Sequence, residues 1–107
     1  MLDFCPAGEL FYHLSKQKKL GEADAKIIIA EIILALEHLH KYNITYRDLK
    51  PENIIVDFNG HVKLTDFGLC KQRLHKDDIS KSLCGSPEYI CPEMLNTGVH
   101  TRMVDFY

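Results

Sequence analysis

Apolar residues keep a helical period over one part of the chain, a strand period over another, and neither in between. From Glu22 to about His40, Ala25, Ile28, Ile29, Ile32, Leu36 and Leu39 recur at steps of three and four, the spacing of one helix face. Such a helix is about 28 Å long. Ile27, Ile33 and Leu34 widen the apolar surface beyond one stripe, so the helix is expected to be wrapped on several sides. Tyr42-Asn43 ends it, because asparagine tolerates the left-handed conformation that follows a helix. Before it, Met1 to Cys5 is a short apolar segment and Pro6-Ala7-Gly8 breaks the chain. Leu10, Phe11 and Leu14 then predict a shorter helix that Gly21 stops.

Past residue 53 the period drops to two. Ile54-Ile55-Val56 reads as a strand, Asn59-Gly60 as a hairpin signal, and His61 to Thr65 alternates polar and apolar. A two-residue turn at Asn59-Gly60 sets Asn53 directly across from Asp66, with opposed side chains ~5 Å apart. One neutral and one anionic oxygen donor at that separation suit a magnesium ion. A bulge in the hairpin would shift this register. From Gly68 to Ser86 the chain is polar and aperiodic, carrying Lys71, Arg73, Lys76, Asp77, Asp78 and Lys81, which reads as a mobile loop. Ser86-Pro87-Glu88-Tyr89 then turns and Met94-Leu95 marks a short helix.

At 107 residues the chain is one domain or less. Its 46% hydrophobic and 26% charged content are those of a soluble globular chain. A net charge of −2 provides no field for nucleic acid or a membrane surface. Cys5, Cys70, Cys84 and Cys91 form no C-x-x-C pair and no secreted-scaffold density. His38 and His40 point to different helix faces, so packed or solvent-facing histidines are the expectation rather than zinc ligands. The sequence shows no signal peptide, and the charge-free apolar run Ile32 to Leu36 is far too short to span a bilayer. A soluble intracellular location is expected, cytoplasmic with nuclear possible.

The chemistry is concentrated in Tyr46-Arg47-Asp48-Leu49-Lys50-Pro51-Glu52-Asn53, followed in the chain by Asp66-Phe67-Gly68. The octet resembles the protein-kinase catalytic loop H-R-D-L-x-x-x-N, and the triplet resembles the D-F-G of the same family. Tyr46 as the first residue, with "GHVKLTDFGLCK" and "LCGSPEY", resembles the AGC group of serine/threonine kinases. The resemblance implies an α+β fold: the mainly helical carboxy-terminal lobe of the protein-kinase fold with a short β-hairpin, as an incomplete domain over residues 1–107. It implies ATP and magnesium as cofactors, protein or peptide substrates presenting serine or threonine, and an upstream activating kinase.

Residue by residue, the resemblance makes Asp48 the catalytic base and Lys50 a γ-phosphate contact, with Asn53 and Asp66 the metal ligands. Backbone groups of Asp3 and Cys5 would hold the adenine edge, Ile55 would lie beneath the ring, and Glu9 would contact the ribose and a basic substrate residue. Glu52 would read another basic residue, so the substrate site is expected to be basophilic. Ser82 aligns with the activation-loop phosphosite, with Arg47 and Lys71 as its phosphate clamp. Ser86 matches a hydroxyl bonded to the catalytic aspartate and lysine. Tyr46 and Phe67 match members of an apolar stack. Cys91-Pro92-Glu93 stands at the A-P-E position, and the aspartate of Val104-Asp105-Phe106-Tyr107 would open a long buried helix that anchors the catalytic core.

Plainer readings stand beside these. Asp48 and Lys50 also fit a surface ion pair, Glu9 a helix-start acid, and Ser80 and Ser82 ordinary loop serines. The glycine-rich loop, the V-A-I-K lysine and the arginine partner of Glu93 are not in these residues. The isolated stretch is therefore expected to be inactive while its parent protein is the enzyme. The alternatives are a catalytically dead kinase-like scaffold or regulatory binding fragment, and a truncated product without a folded state.

Overall fold

The computed structural model describes residues 4–72 and 83–107. It divides into two compact units, one of Met1–Ala35 with Pro51–Thr65 and the other of Leu36–Lys50 with Asp66–Tyr107.

In the first unit, strand β1 (Gly8–Glu9) runs straight into helix α1 (Leu10–Gln17). A turn precedes it, in which the Gly8 N–H donates to the Cys5 carbonyl at 3.3 Å. Helix α1 ends at Lys18, itself left-handed with φ 61°, and not at Gly21. Gly21 instead begins helix α2 (Glu22–Lys41), its carbonyl accepting the Ala25 N–H at 2.9 Å. Glu22 and Asp24 in the first turn and Lys41 in the last oppose the helix dipole at both ends.

Helix α2 has the extent that the periodicity predicts, but it is not wrapped on several sides. Ile27 is 58% and Leu34 63% exposed, Ile29 and Ile33 are about half exposed, and only Leu36 and His40 are fully buried. Among the described residues, too little chain packs on this helix to cover the surface that its isoleucines create.

Strands β3 (Ile54–Val56) and β4 (Val62–Leu64) form the expected hairpin, with β1 added on the far side of β3. They follow the catalytic-loop segment and a 3-10 turn at Pro51–Asn53, while β2 (Ile44–Thr45) belongs to the other unit. The β3–β4 register pairs Ile54 with Leu64, Ile55 with Lys63 and Val56 with Val62. The connection therefore has three residues, Phe58-Asn59-Gly60, and not two. Asp57 is the cause: its Oδ1 accepts the N–H groups of Asn59 at 2.8 Å and His61 at 3.0 Å. Gly60 closes the loop at φ +88°, the left-handed position that three-residue hairpins reserve for glycine. With this register the Asn53 carbonyl accepts the Thr65 N–H at 2.9 Å. Asn53 stands across from Thr65, so the pairing with Asp66 that a two-residue turn would enforce is not formed.

Glu31 on α2 fastens the hairpin. Its Oε1 accepts His61 Nδ1–H at 2.6 Å and its Oε2 the Val62 N–H at 2.8 Å.

In the second unit, β2 pairs antiparallel with β5 (Lys71–Gln72), Ile44 opposite Gln72 and Thr45 opposite Lys71. A 3-10 turn at Phe67–Leu69 leads into β5. The stretch from Gly68 that reads as loop in sequence thus begins as ordered structure. Its serines, Ser80 and Ser82, with Arg73 and Lys76, lie outside the described residues. A second 3-10 turn, Pro87–Tyr89, precedes helix α3 (Pro92–Thr97), which Gly98 caps. Arg102–Phe106 forms a 3-10 turn where the resemblance implies the start of a long helix. Tyr46, Leu36, Thr45, Cys91 and Met94 are the buried centre of this unit. No helix among the described residues is long and apolar enough to cross a membrane.

The Glu31 contacts carry a pH signature. The Val62 N–H first, and then His61, hold Glu31 below its ordinary 4.5, and the bond to Glu31 lifts His61 above its ordinary 6.5. A raised histidine contributes stability that is full below its unfolded pKa and lost as pH rises through the folded one. A lowered carboxylate contributes above its unfolded pKa and loses it as pH falls through the folded one. Both contributions are complete between pH 4.5 and 6.5. In urea unfolding, the gap between the native chain and Glu31→Gln is expected to be widest in that window and to narrow above neutrality. A gap that does not narrow above neutrality would leave only the Val62 bond as Glu31's contribution.

Candidate active site

The segment from Tyr46 to Lys50 holds polar groups in conformations that an unconstrained chain avoids, and Asp105 supplies the constraint. It is 3% exposed. Its Oδ1 accepts the Arg47 N–H at 2.7 Å, and its Oδ2 accepts the Tyr46 N–H at 2.9 Å and His40 Nε2–H at 2.7 Å. Charge-assisted bonds of this kind are roughly twice as strong as neutral ones. Arg47 sits at φ 71°, a left-handed conformation costing of order 1–3 kcal/mol for a residue with a side chain. Two consecutive amides fixed on one carboxylate hold it there. Phe106 packs edge-on against His40 at 5.5 Å between ring centroids.

The bend at Arg47 is followed by Asp48, 6% exposed, whose carboxylate is held on both oxygens. Oδ1 accepts the Ser86 N–H and hydroxyl, each at 3.2 Å, and Oδ2 lies 3.1 Å from Lys50 Nζ. Lys50 Nζ in turn donates to Ser86 Oγ at 2.7 Å. Asp48, Lys50 and Ser86 thus form a closed triangle of acid, base and hydroxyl. Gly85 makes the approach possible: at φ +102°, a Cβ built on it would lie 2.9 Å from the Arg47 carbonyl. Only glycine fits there on both counts.

Arg47 also donates from Nε to the Leu69 carbonyl at 2.7 Å, which joins the loop to the turn after Asp66. Asp66 is left-handed at φ 53° and caps that turn through Oδ1, which accepts the Gly68 N–H at 3.2 Å. The Tyr46 ring, fully buried, meets Phe67 edge-on at 5.6 Å between centroids, so the two expected stack members touch. Lys71, the other expected clamp residue, is exposed on β5 opposite Thr45. Burial pushes the Cys70 thiol up to about 11, with Asp105 adding to the effect and Arg47 opposing it. Burial likewise raises Cys91. Both are protonated at neutral pH and poor nucleophiles.

The first unit holds the remaining candidates. The β1–β3 register sets Glu9 directly across from Ile55, bringing the ribose and adenine candidates together. Cys5 lies at the turn before β1, its carbonyl already accepting from Gly8. Asn53 is buried, and Glu52 Oε2 is shielded from solvent without a hydrogen-bond partner. Asp3 and Ser82 lie outside the described residues. No cluster of three or more histidine, cysteine or acidic side chains arranged for a metal occurs among the described residues. The carboxylate of Asp66 and the amide of Asn53 are each an oxygen donor of a kind magnesium accepts.

The three bonds that Asp105 accepts, Gly85 as the spacer and the Leu69 carbonyl as an Arg47 partner are features that the local pattern does not mark, although the resemblance singles out Asp105 as the start of an anchoring helix. His40 is a packed histidine, as expected, while His38 is exposed against Tyr42.

The chain matches the sequence profile of the protein kinase domain over residues 1–107. It is 49% identical over 107 residues to serine/threonine-protein kinase Sgk1-B of Xenopus laevis, an alignment covering 100% of this chain and 25% of that protein. It is 52% identical over 106 residues to serine/threonine-protein kinase SCH9 of Candida albicans, covering 98% of this chain and 14% of the relative. Identity to serine/threonine-protein kinase gad8 of Schizosaccharomyces pombe is 48% over 107 residues, 100% of this chain and 19% of the relative. The chain therefore spans a quarter or less of the length of these curated relatives.

Replacing Asp105 by alanine strands two backbone amides and His40 in a buried site. A loss of about 3 kcal/mol or more is expected in urea unfolding, from removing one partner of a buried charged network. Amide exchange at Tyr46 and Arg47 should accelerate in step. Ser86→Ala, by contrast, should cost only ~1 kcal/mol. Equal losses would show that Asp105 is not the anchor.

Proposed function

This chain belongs to the protein kinase family, in its AGC serine/threonine group, and we propose that its parent protein transfers the γ-phosphate of ATP to serine or threonine hydroxyls of basic protein segments. Its 107 residues are the part of the catalytic domain from the hinge to the segment after the A-P-E position, belonging to the carboxy-terminal lobe. The observation that carries the reading is the Asp48–Lys50–Ser86 triangle.

Phosphoryl transfer requires a hydroxyl aligned with the phosphorus and a compensated charge on the transferring group. Asp48, held on both oxygens, orients the substrate hydroxyl and takes its proton. Lys50, already beside Asp48, turns its ammonium to the γ-phosphate as a point charge. The Ser86 hydroxyl accepts from Lys50 and donates to Asp48, so it orients both groups beside their direct contact. On the family resemblance alone, Asp66 and Asn53 would be the oxygen donors for magnesium, which when bound neutralises phosphate charge. Glu9 and Ile55, directly paired across the strands, would serve ribose and adenine, with the backbones of Asp3 and Cys5 at the adenine edge.

Glu52 supports the basophilic part of the reading. A carboxylate oxygen without a partner and away from water is costly, and a lysine or arginine of a substrate would relieve that cost. Arg47 and Lys71 would take the phosphate of Ser82 once an upstream kinase has added it. Arg47 then exchanges the Leu69 carbonyl for a stronger anionic acceptor.

The test is phosphorylation of a serine peptide flanked by arginines, by the full-length protein with ATP and magnesium. Turnover is expected from the native protein, and Asp48→Ala should lower kcat by roughly 10²–10⁴, the span typical of a positioned general base. Asp66→Ala should abolish it, and the isolated 107 residues should turn nothing over. Phosphorylation by the full-length protein that survives Asp48→Ala would overturn the assignment.

A further inference from the structure

We infer that the hairpin tip is a self-modification site, where Asn59 converts through a cyclic imide to aspartate and isoaspartate in the folded protein. Asn59 and Gly60 form the end of the three-residue loop and both are exposed. The Asn59 side-chain amide makes no hydrogen bond among the described residues, while its backbone N–H is held by Asp57 at 2.8 Å. The attacking group is the Gly60 backbone nitrogen. Its only restraint is a long bond of 3.2 Å to the Asp57 carbonyl. Nothing lies within 4 Å of where a Gly60 Cβ would be, so there is open space on that side for a five-membered ring.

The chemistry balances without oxidant or reductant. The Gly60 nitrogen forms a bond to Asn59 Cγ while the Cγ–Nδ2 bond breaks, and the peptide proton leaves with the amide nitrogen as ammonia. Water then adds to one of the two imide carbonyls. Opening at one carbonyl gives aspartate; opening at the other routes the backbone through the side chain and gives isoaspartate.

The chain's other asparagines serve as internal controls. Asn43, Asn53 and Asn96 are followed by Ile44, Ile54 and Thr97, whose branched Cβ crowds the nitrogen that would attack. Asn53 is also buried, and Asn96 lies within α3. Only Asn59 combines exposure, a free side chain and a following glycine.

Either product changes the hairpin. Aspartate adds a negative charge next to His61. Isoaspartate adds a methylene to the backbone, so the loop can no longer keep the Asp57 N–H on the His61 carbonyl, now at 2.8 Å. Ile55 on β3 and Asn53 just before it are carried on the same hairpin.

Peptide mapping by mass spectrometry, with isoaspartyl methyltransferase labelling, on the full-length protein held folded at mildly alkaline pH tests this. Expected is conversion at Asn59 about tenfold or more faster than at the residues preceding β-branched neighbours, rising with pH. Gly60→Ala should slow it about as much by restoring a Cβ. Asn59→Gln, which leaves the glycine in place, should show no conversion at that site over the same period. Survival of the Asn59 amide in the folded protein while the urea-unfolded chain converts would overturn the inference. So would an unchanged rate in Gly60→Ala, since the imide route requires access to that nitrogen.

Discussion

One buried carboxylate sets the geometry of the loop that carries Asp48. Asp105 binds the Tyr46 and Arg47 amides and the His40 ring together, and all three donors converge on two oxygens. The arrangement holds Arg47 in a left-handed conformation that its side chain alone would refuse. Everything downstream in that loop inherits its direction from this bend. Asp48 follows immediately and is presented to Ser86 and Lys50, and the Arg47 guanidinium reaches back to Leu69. A neutral residue at 105 could not accept all three bonds with equal strength.

The second feature is the mutual satisfaction of the polar groups around Asp48. Acid, base and hydroxyl close on one another, so each has a partner within the network. Such a network is rigid because each bond orients the next. Gly85 permits it by letting two backbones approach where any side chain would collide. The left-handed Asp66 and its capped turn are a second strained point in the same unit, and strain of this kind collects at working sites.

In the other unit the hairpin is governed by side-chain to backbone bonds. Asp57 organises the tip and Glu31 fastens His61 and Val62 to helix α2. The tip is exposed and carries the asparagine-glycine pair on which the inferred conversion rests. Helix α2 keeps several isoleucines in solvent, apolar area that stabilises only when covered.

The chain's periodicities were enough to determine α2, the short first helix and both strands of the hairpin, because a face of period 3.6 or 2 is written in neighbouring residues. The octet from Tyr46 to Asn53 and the triplet at Asp66 identified the family, since residue type and spacing are what the resemblance reads. The hairpin register escaped because Asp57 competes for the turn amides, and that choice of loop length is made by hydrogen bonds in three dimensions. The roles of Gly21 and Lys18 were exchanged for a similar reason: which residue turns left-handed depends on packing around the junction. Strand β5, Gly85 against Arg47, and Asp105 beneath the catalytic loop were decided only by the tertiary structure. Their partners lie far along the chain, and no local pattern encodes a bond between groups that only folding brings together.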